Sequence, residues 1–288
     1  MKFFKKFCLL VMVCLFLSGC SFESKDMEYI SIYTTTYPIN YLISSLYGEH
    51  SKVYSIYPTG IKVNEYELSD RKLEEYSKSD LFVFNSLDKD RDYAVKMINN
   101  NSKLKVIDVS TGMNYDYSIE ELWLNPYNYL MMAENIKDGL SEYINNPYLV
   151  EEINNNYENL EYNISKIDAD LTESISNANY KTIVVDNDVF KFLDKYGLNV
   201  ISLEDNDNLS LNTIEEVKKL IANKSIRYIY SINDTSNDKV NSLIKETGVE
   251  LASINAMHSI DGGITNTNDD YLSIMKNNIN LIEKELYK

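Results

Sequence analysis

At 288 residues and 44% apolar content, with four prolines and nine glycines, the chain is too hydrophobic and too unrepetitive to be disordered or fibrous, and long enough for two ordinary domains. Its formal charge of −16 at neutral pH argues against nucleic acid and anionic lipid headgroups as partners, because a surface of that sign repels both.

The first residues, "MKFFKKFCLLVMVCLFLSGC", place Lys2, Lys5 and Lys6 before an apolar run from Phe7 to Leu17, then Ser18, Gly19 and Cys20. This is the pattern of a secretory signal, too short for a stable membrane span. The ending "LSGC" looks like a bacterial lipobox, which implies a signal peptide over 1–19, a diacylglyceryl group on Cys20 and a lipidated tether over 20–28. Loss of the three lysines takes the formal charge to −19. Cys8 and Cys14 go with the signal, so the mature chain has one cysteine, which excludes an internal disulfide and a thiolate zinc site.

From Tyr29 onward, short apolar strands alternate with helix-like stretches, the pattern of parallel sheets with crossover helices. "YISIYTT", "SKVYSIYP", "DLFVFN" and "LKVIDVS" read as strands; "INYLISSLYG", "SDRKLEEYSKS" and "DYAVKMINN" read as the helices between them. Together they give an N-terminal α/β lobe over 29–144, closed by a helix in "NPYNYLMMAENIKDGLSEYI". Apolar residues at Leu149, Ile153, Tyr157, Leu160, Ile164, Ile167, Leu171 and Ile175 then recur in steps of three and four. That spacing predicts one long amphipathic helix linking two lobes, over 145–177. The alternation resumes in "KTIVVD", "VFKFLDKYG", "NVISL", "LNTIEEVKKLIANK", "RYIYSI", "NDKVNSLIKETG", "ELASIN" and "DDYLSIMKNNINLIEKELY", giving a second α/β lobe over 178–288. The predicted fold class is therefore α/β, two lobes with parallel sheets joined by one long helix.

Four stretches carry a family resemblance: "IYTTTYPINYLISSLYG", "YPTGIKVNEYELSDRKLEEYSKSDLFVFN", "EELWLNPYNYLMMAENIKDGL" and "VVDNDVFKFLDKYGL". In this order and at these separations the chain, from about Ile30 to its end, resembles the solute-binding lipoproteins of zinc and manganese ABC importers. The resemblance implies a non-enzymatic, lipid-anchored monomer on the outer face of the cytoplasmic membrane that delivers its ligand to an ABC permease. In that family three histidines and a late carboxylate hold the metal, a donor set suited to zinc and manganese. Motif for motif, those positions fall here on Asn64, Glu121, Asn187 and Asn255. Each departs from the pattern. Three neutral amides and one carboxylate bind a borderline cation poorly, and suit a hard cation better than a soft one. The implied cofactor is thus at most a weakly bound divalent metal ion, with His258, Glu65 and Asp186 as secondary candidate ligands beside the altered positions.

Other readings compete with transport of a metal. Amides with Tyr37 and Tyr66 could hold a polar organic molecule, and the same fold could serve as a non-transporting surface adhesion protein. The mature chain has no G-x-S-x-G, P-loop, H-E-x-x-H or Cys-His pairing, which argues against an enzyme. His50, in "GEHSKV", reads as a solvated residue of the turn before a strand. "STGMNYDYSIEEL", where zinc importers often carry a His-rich loop, has no histidine and gives no support to a metal-gathering role.

Overall fold

The computed structural model describes residues 27–58, 66–207, 209–232, 236–257 and 269–288. The signal segment, Cys20, Asn64, Glu65 and His258 lie outside these described residues.

The first lobe runs β1 (Ile30–Thr34), α1 (Tyr37–Tyr47), β2 (Ser51–Ser55), α2 (Asp70–Tyr76), β3 (Leu81–Phe84), α3 (Asp90–Asn100) and β4 (Lys105–Asp108). All of its strand pairs are parallel, in the order β2-β1-β3-β4. All four residues of β3 are buried, as a central parallel strand covered on both faces requires. Ser69 caps α2 by accepting from the Lys72 N–H, so the predicted helix start is the observed one.

A short α4 (Glu121–Leu124) and α5 (Pro126–Tyr143) lead into α6 (Pro147–Ser176), a continuous 30-residue helix. At 1.5 Å per residue it spans about 45 Å. Seven of the eight apolar positions predicted for its inner stripe are buried, and Tyr157 is half-buried under Lys137. The helix is pinned to the first lobe near its start and to the second near its end. Asn156 donates to the Leu46 carbonyl at 3.1 Å, whereas Tyr196 donates to Asp168 at 2.6 Å and Tyr287 to the Ser174 carbonyl at 2.7 Å. His50 belongs to the first set: its Nε2 lies 3.0 Å from both Glu152 oxygens, half-buried. It is therefore not the solvated turn residue that its neighbours suggest, because the turn is folded against α6.

The second lobe has β5 (Thr182–Val185), a 3₁₀ helix (Asp188–Tyr196), β6 (Asn199–Ser202), α7 (Leu211–Ala222), β7 (Tyr228–Ile232), α8 (Asp238–Thr247), β8 (Glu250–Ile254) and α9 (Tyr271–Leu286). Its parallel sheet, in the order β6-β5-β7-β8, repeats the topology of the first. The segment expected as an α-helix in "VFKFLDKYG" is 3₁₀ because its buried residues, Val189 with Phe192 and Phe190 with Leu193, recur every three positions. Gly197, at φ 96°, ends it in the left-handed region that glycine occupies without strain.

One apolar cluster runs through both lobes, from Ile32 and Val83 through Trp123 and the α6 stripe to Ile183 and Tyr230. Two smaller clusters lie on the opposite faces, one under α2 and α3 and one under α7 and α8. Among the described residues no helix is long and apolar enough to cross a membrane.

Candidate functional site

In each lobe the strand order reverses between the two central strands, β1 and β3 in the first and β5 and β7 in the second. Open α/β sheets bind ligands just beyond the carboxyl ends of the strands at such a reversal. The residues there are polar and deeply buried. After β1, Thr35 is fully buried, and the Thr36 hydroxyl is buried without a hydrogen-bond partner among the described residues. After β3, Asn85 is buried and accepts from the Leu87 N–H at 3.0 Å. Asp90, at the start of α3, accepts from the Tyr57 hydroxyl at 2.8 Å, and burial pushes its carboxyl up to about 6. After β5, burial pushes the Asp186 carboxyl up to about 7, and the charge of Glu204 adds to the effect.

Of the four family positions, Glu121, Asn187 and Asn255 are described, and each has a side-chain oxygen committed to nearby backbone. Glu121 is 2% exposed, and its carboxylate turns back on the preceding loop. Oε1 accepts from the N–H groups of Tyr117 at 2.6 Å and Ser118 at 3.0 Å. Asn187 caps the 3₁₀ helix, its Oδ1 accepting from the Val189 N–H at 2.8 Å. Asn255 makes the same kind of local turn: its Oδ1 accepts from the Met257 N–H at 2.8 Å, while its backbone is clamped in both directions by Asn278. Such Asx turns are characteristic of short amide side chains. Among the described residues no group of three or more His, Cys, Asp or Glu side chains is arranged to hold a metal ion. Of the two tyrosines considered as ligand donors, Tyr66 receives a bond from Lys72 at 3.2 Å and packs edge-on to Tyr57. Burial, with Asp270 and Tyr41 adding to it, pushes the Tyr37 hydroxyl up to about 12, so it stays a neutral donor at neutral pH.

Sequence reasoning gave the loop before Glu121 no function, yet that loop bridges the lobes. Asp116 pairs with Lys195 at 3.5 Å, and the Lys191 ammonium sits 5.4 Å from the centre of the Tyr117 ring. The signal was present as two lysines four apart on "VFKFLDK", facing an acidic and aromatic loop. Glu121 is the latch beneath this bridge. Replacing it by Gln removes the charge from the bonds to Tyr117 and Ser118, and from a longer one at 3.5 Å to the Asp116 N–H, bonds of the class worth about 1.5–3 kcal/mol for a charged partner. Glu121→Gln is therefore expected to speed amide exchange at Tyr117 and Ser118 by about tenfold or more, with the rest of the lobe unchanged; equal exchange rates would show that the carboxylate does not hold the loop.

Beneath the loop, Trp123 joins the lobes directly. Its indole donates to the Ala256 carbonyl at 2.9 Å, and its own carbonyl accepts from the Tyr271 hydroxyl at 2.7 Å. The Tyr271 ring stacks on Tyr129 with centroids 4.0 Å apart.

Residues 32–285 match the family described as ZnuA, zinc-uptake complex component A, periplasmic. The chain belongs to this family. Zinc-binding lipoprotein AdcA of Streptococcus pneumoniae is 24% identical over 96% of this chain, and the chain spans about 60% of that protein's length. A metal ABC transporter substrate-binding lipoprotein of Lactococcus lactis is 25% identical, with 95% of this chain and 94% of the relative covered. Among solved structures, the Zn(II)-bound ZnuA-like domain of S. pneumoniae AdcA superposes with a TM-score of 0.71 at 22% identity, covering 90% of this chain and all of that one. The laminin-binding protein Lbp of Streptococcus pyogenes does so with a TM-score of 0.69 at 17% identity, covering 90% and 99%. The ZnuA family is one of substrate-binding receptors, not of enzymes, and the two-lobed fold with its long linking helix is the fold of these structures.

Proposed function

We propose that this ZnuA-family chain is the extracytoplasmic solute-binding lipoprotein of a metal-type ABC importer. In this reading it is anchored through the lipid on Cys20 and passes its cargo to a permease across the outer faces of both lobes. Its cargo is not zinc held tightly at the family positions. The observation that carries this second point is the commitment of Glu121, Asn187 and Asn255 to their own backbones. A zinc ion would have to break those bonds, and would gain from the Asn residues only neutral amide oxygens where the family supplies imidazole nitrogens and a carboxylate. A linking helix pinned near both ends limits the lobes to a small tilt about α6, which suits a receptor that presents a nearly fixed surface to its permease.

Restoring the family's donors tests the placement. The variant carrying Asn64→His, Glu121→His, Asn187→His and Asn255→Asp is expected to gain at least a hundredfold in zinc affinity by calorimetry, about 2.7 kcal/mol. A folded variant with unchanged zinc affinity would mean that these four positions do not converge on one site.

A further inference from the structure

We propose a hard-cation site, suited to calcium, at the carboxyl edge of the second sheet on the face covered by α7 and α8, centred on Asp186 and Ser231. It is separate from the family's metal positions. Side chains alternate faces along a strand, and the two neighbouring clusters fix which face is which. Val184 and Ile229 belong to the cluster under α7 and α8, whereas Val185 and Tyr230 face α6. Asp186 and Ser231, two residues beyond Val184 and Ile229, therefore share the α7–α8 face.

β5 and β7 pair in register, Val185 opposite Tyr230, and the ladder continues with the Asp186 N–H donating to the Tyr230 carbonyl at 2.9 Å. Asp186 is thus the strand neighbour of Ser231, at the usual spacing of about 4.8 Å between strands. Both oxygens are orphaned among the described residues: Asp186 Oδ1 and Ser231 Oγ are buried without a hydrogen-bond partner there, in residues 8% and 0% exposed. Buried polar atoms are nearly always paired, so two on adjacent residues mark the place of something that pairs with both. One ion with oxygen ligands at 2.3–2.6 Å bridges side chains at this spacing.

The surroundings select a cation. The Glu204 Oε2 accepts from the Asp188 N–H at 2.6 Å. Asp188 pairs with Lys191 at 3.1 Å. Asp205 pairs with Lys239 at 2.6 Å. The carboxylates of Asp186, Glu204, Asp188 and Asp205 outnumber the lysines Lys191 and Lys239, each already paired with a carboxylate, so this end of the sheet is net negative and unsuited to an anion. Asn237, whose amide donates to the Leu203 carbonyl at 2.9 Å and the Asp186 carbonyl at 3.4 Å, caps α8 and fixes the rim. With one carboxylate and one hydroxyl supplied directly and water completing the shell, the affinity belongs at the weak end of calcium sites, about 10⁻⁴–10⁻³ M.

The test is calcium and magnesium titration of the chain lacking its first twenty residues, by calorimetry and melting temperature, beside Asp186→Asn, Ser231→Ala and Glu121→Gln. Saturable binding of either ion, weakened at least tenfold by Asp186→Asn and measurably by Ser231→Ala but unchanged by Glu121→Gln, is the expected result. Asp186→Asn removes a desolvated carboxyl, so it is expected to fold at least as well as the parent. No saturable binding of either ion would mean that the orphaned oxygens hold only water; binding unaffected by Asp186→Asn would place the ion elsewhere. Either outcome overturns the proposal without touching the family-position reading, which the zinc-restoring variant tests separately.

Discussion

Trp123→Ala is expected to lower the unfolding free energy by about 4 kcal/mol, because truncating a buried tryptophan leaves a cavity that the surroundings only partly fill. The indole is 4% exposed, sits in the cluster that runs through both lobes, and donates across the lobe boundary to Ala256. Two effects are combined in that loss, and Trp123→Phe separates them. Phe keeps most of the apolar contact and removes the donor, so its cost should be about 1–2 kcal/mol, of the class expected for one lost buried hydrogen bond. Urea unfolding followed by far-ultraviolet circular dichroism measures both, since the chain has a single tryptophan and its fluorescence disappears with the substitution. A cost for Trp123→Ala below about 1 kcal/mol would mean that the lobes meet without the indole between them.

The second large effect lies at the far end of the second lobe. Glu285, fully buried, accepts from the backbone N–H groups of Arg227 and Tyr228 at 3.1–3.3 Å and pairs with Lys288, itself 3% exposed. Lys288 also donates to the Ser225 carbonyl and lies 4.8 Å from the centre of the Tyr180 ring. The pair fastens α9 to the start of β7. Glu285→Gln keeps the shape but leaves the lysine buried without a counter-charge, a change that costs about 3–5 kcal/mol. Lys288→Met alone leaves Glu285 its backbone donors and should cost less. The double variant should recover much of the loss, because burying a charge pair costs nearly as much desolvation as it returns in attraction. A double-mutant cycle in urea checks this: additive losses would show that the two charges do not sense each other.

Much of this fold is legible in the sequence because it depends on local periodicity. The inner stripe of α6 needs only steps of three and four, and Ser69 at the start of α2 needs only the preference of short polar residues for capping. What escaped a local reading depends on partners far along the chain. His50 meets Glu152 across 102 residues and Trp123 meets Ala256 across 133, and no local pattern encodes either pair. The 3₁₀ segment over 188–196 shows the same limit in milder form: its spacing of three was visible, but an amphipathic nine-residue stretch reads first as α-helix. At the candidate site the residue identities at positions 64, 121, 187 and 255, and hence the loss of imidazole, are legible without the structure. The sequence could not say that Glu121 would turn its carboxylate onto the loop before it.

The most direct test of the central claim is a zinc titration of the metal-stripped chain lacking its first twenty residues, read by calorimetry with a competing chelator of known affinity. The expected dissociation constant is weaker than about 1 µM, equivalent to less than about 8 kcal/mol of binding. A constant tighter than that, with a raised melting temperature, would contradict it, and would mean that Glu121, Asn187 and Asn255 release their backbone bonds or that other donors assemble a zinc site in their place.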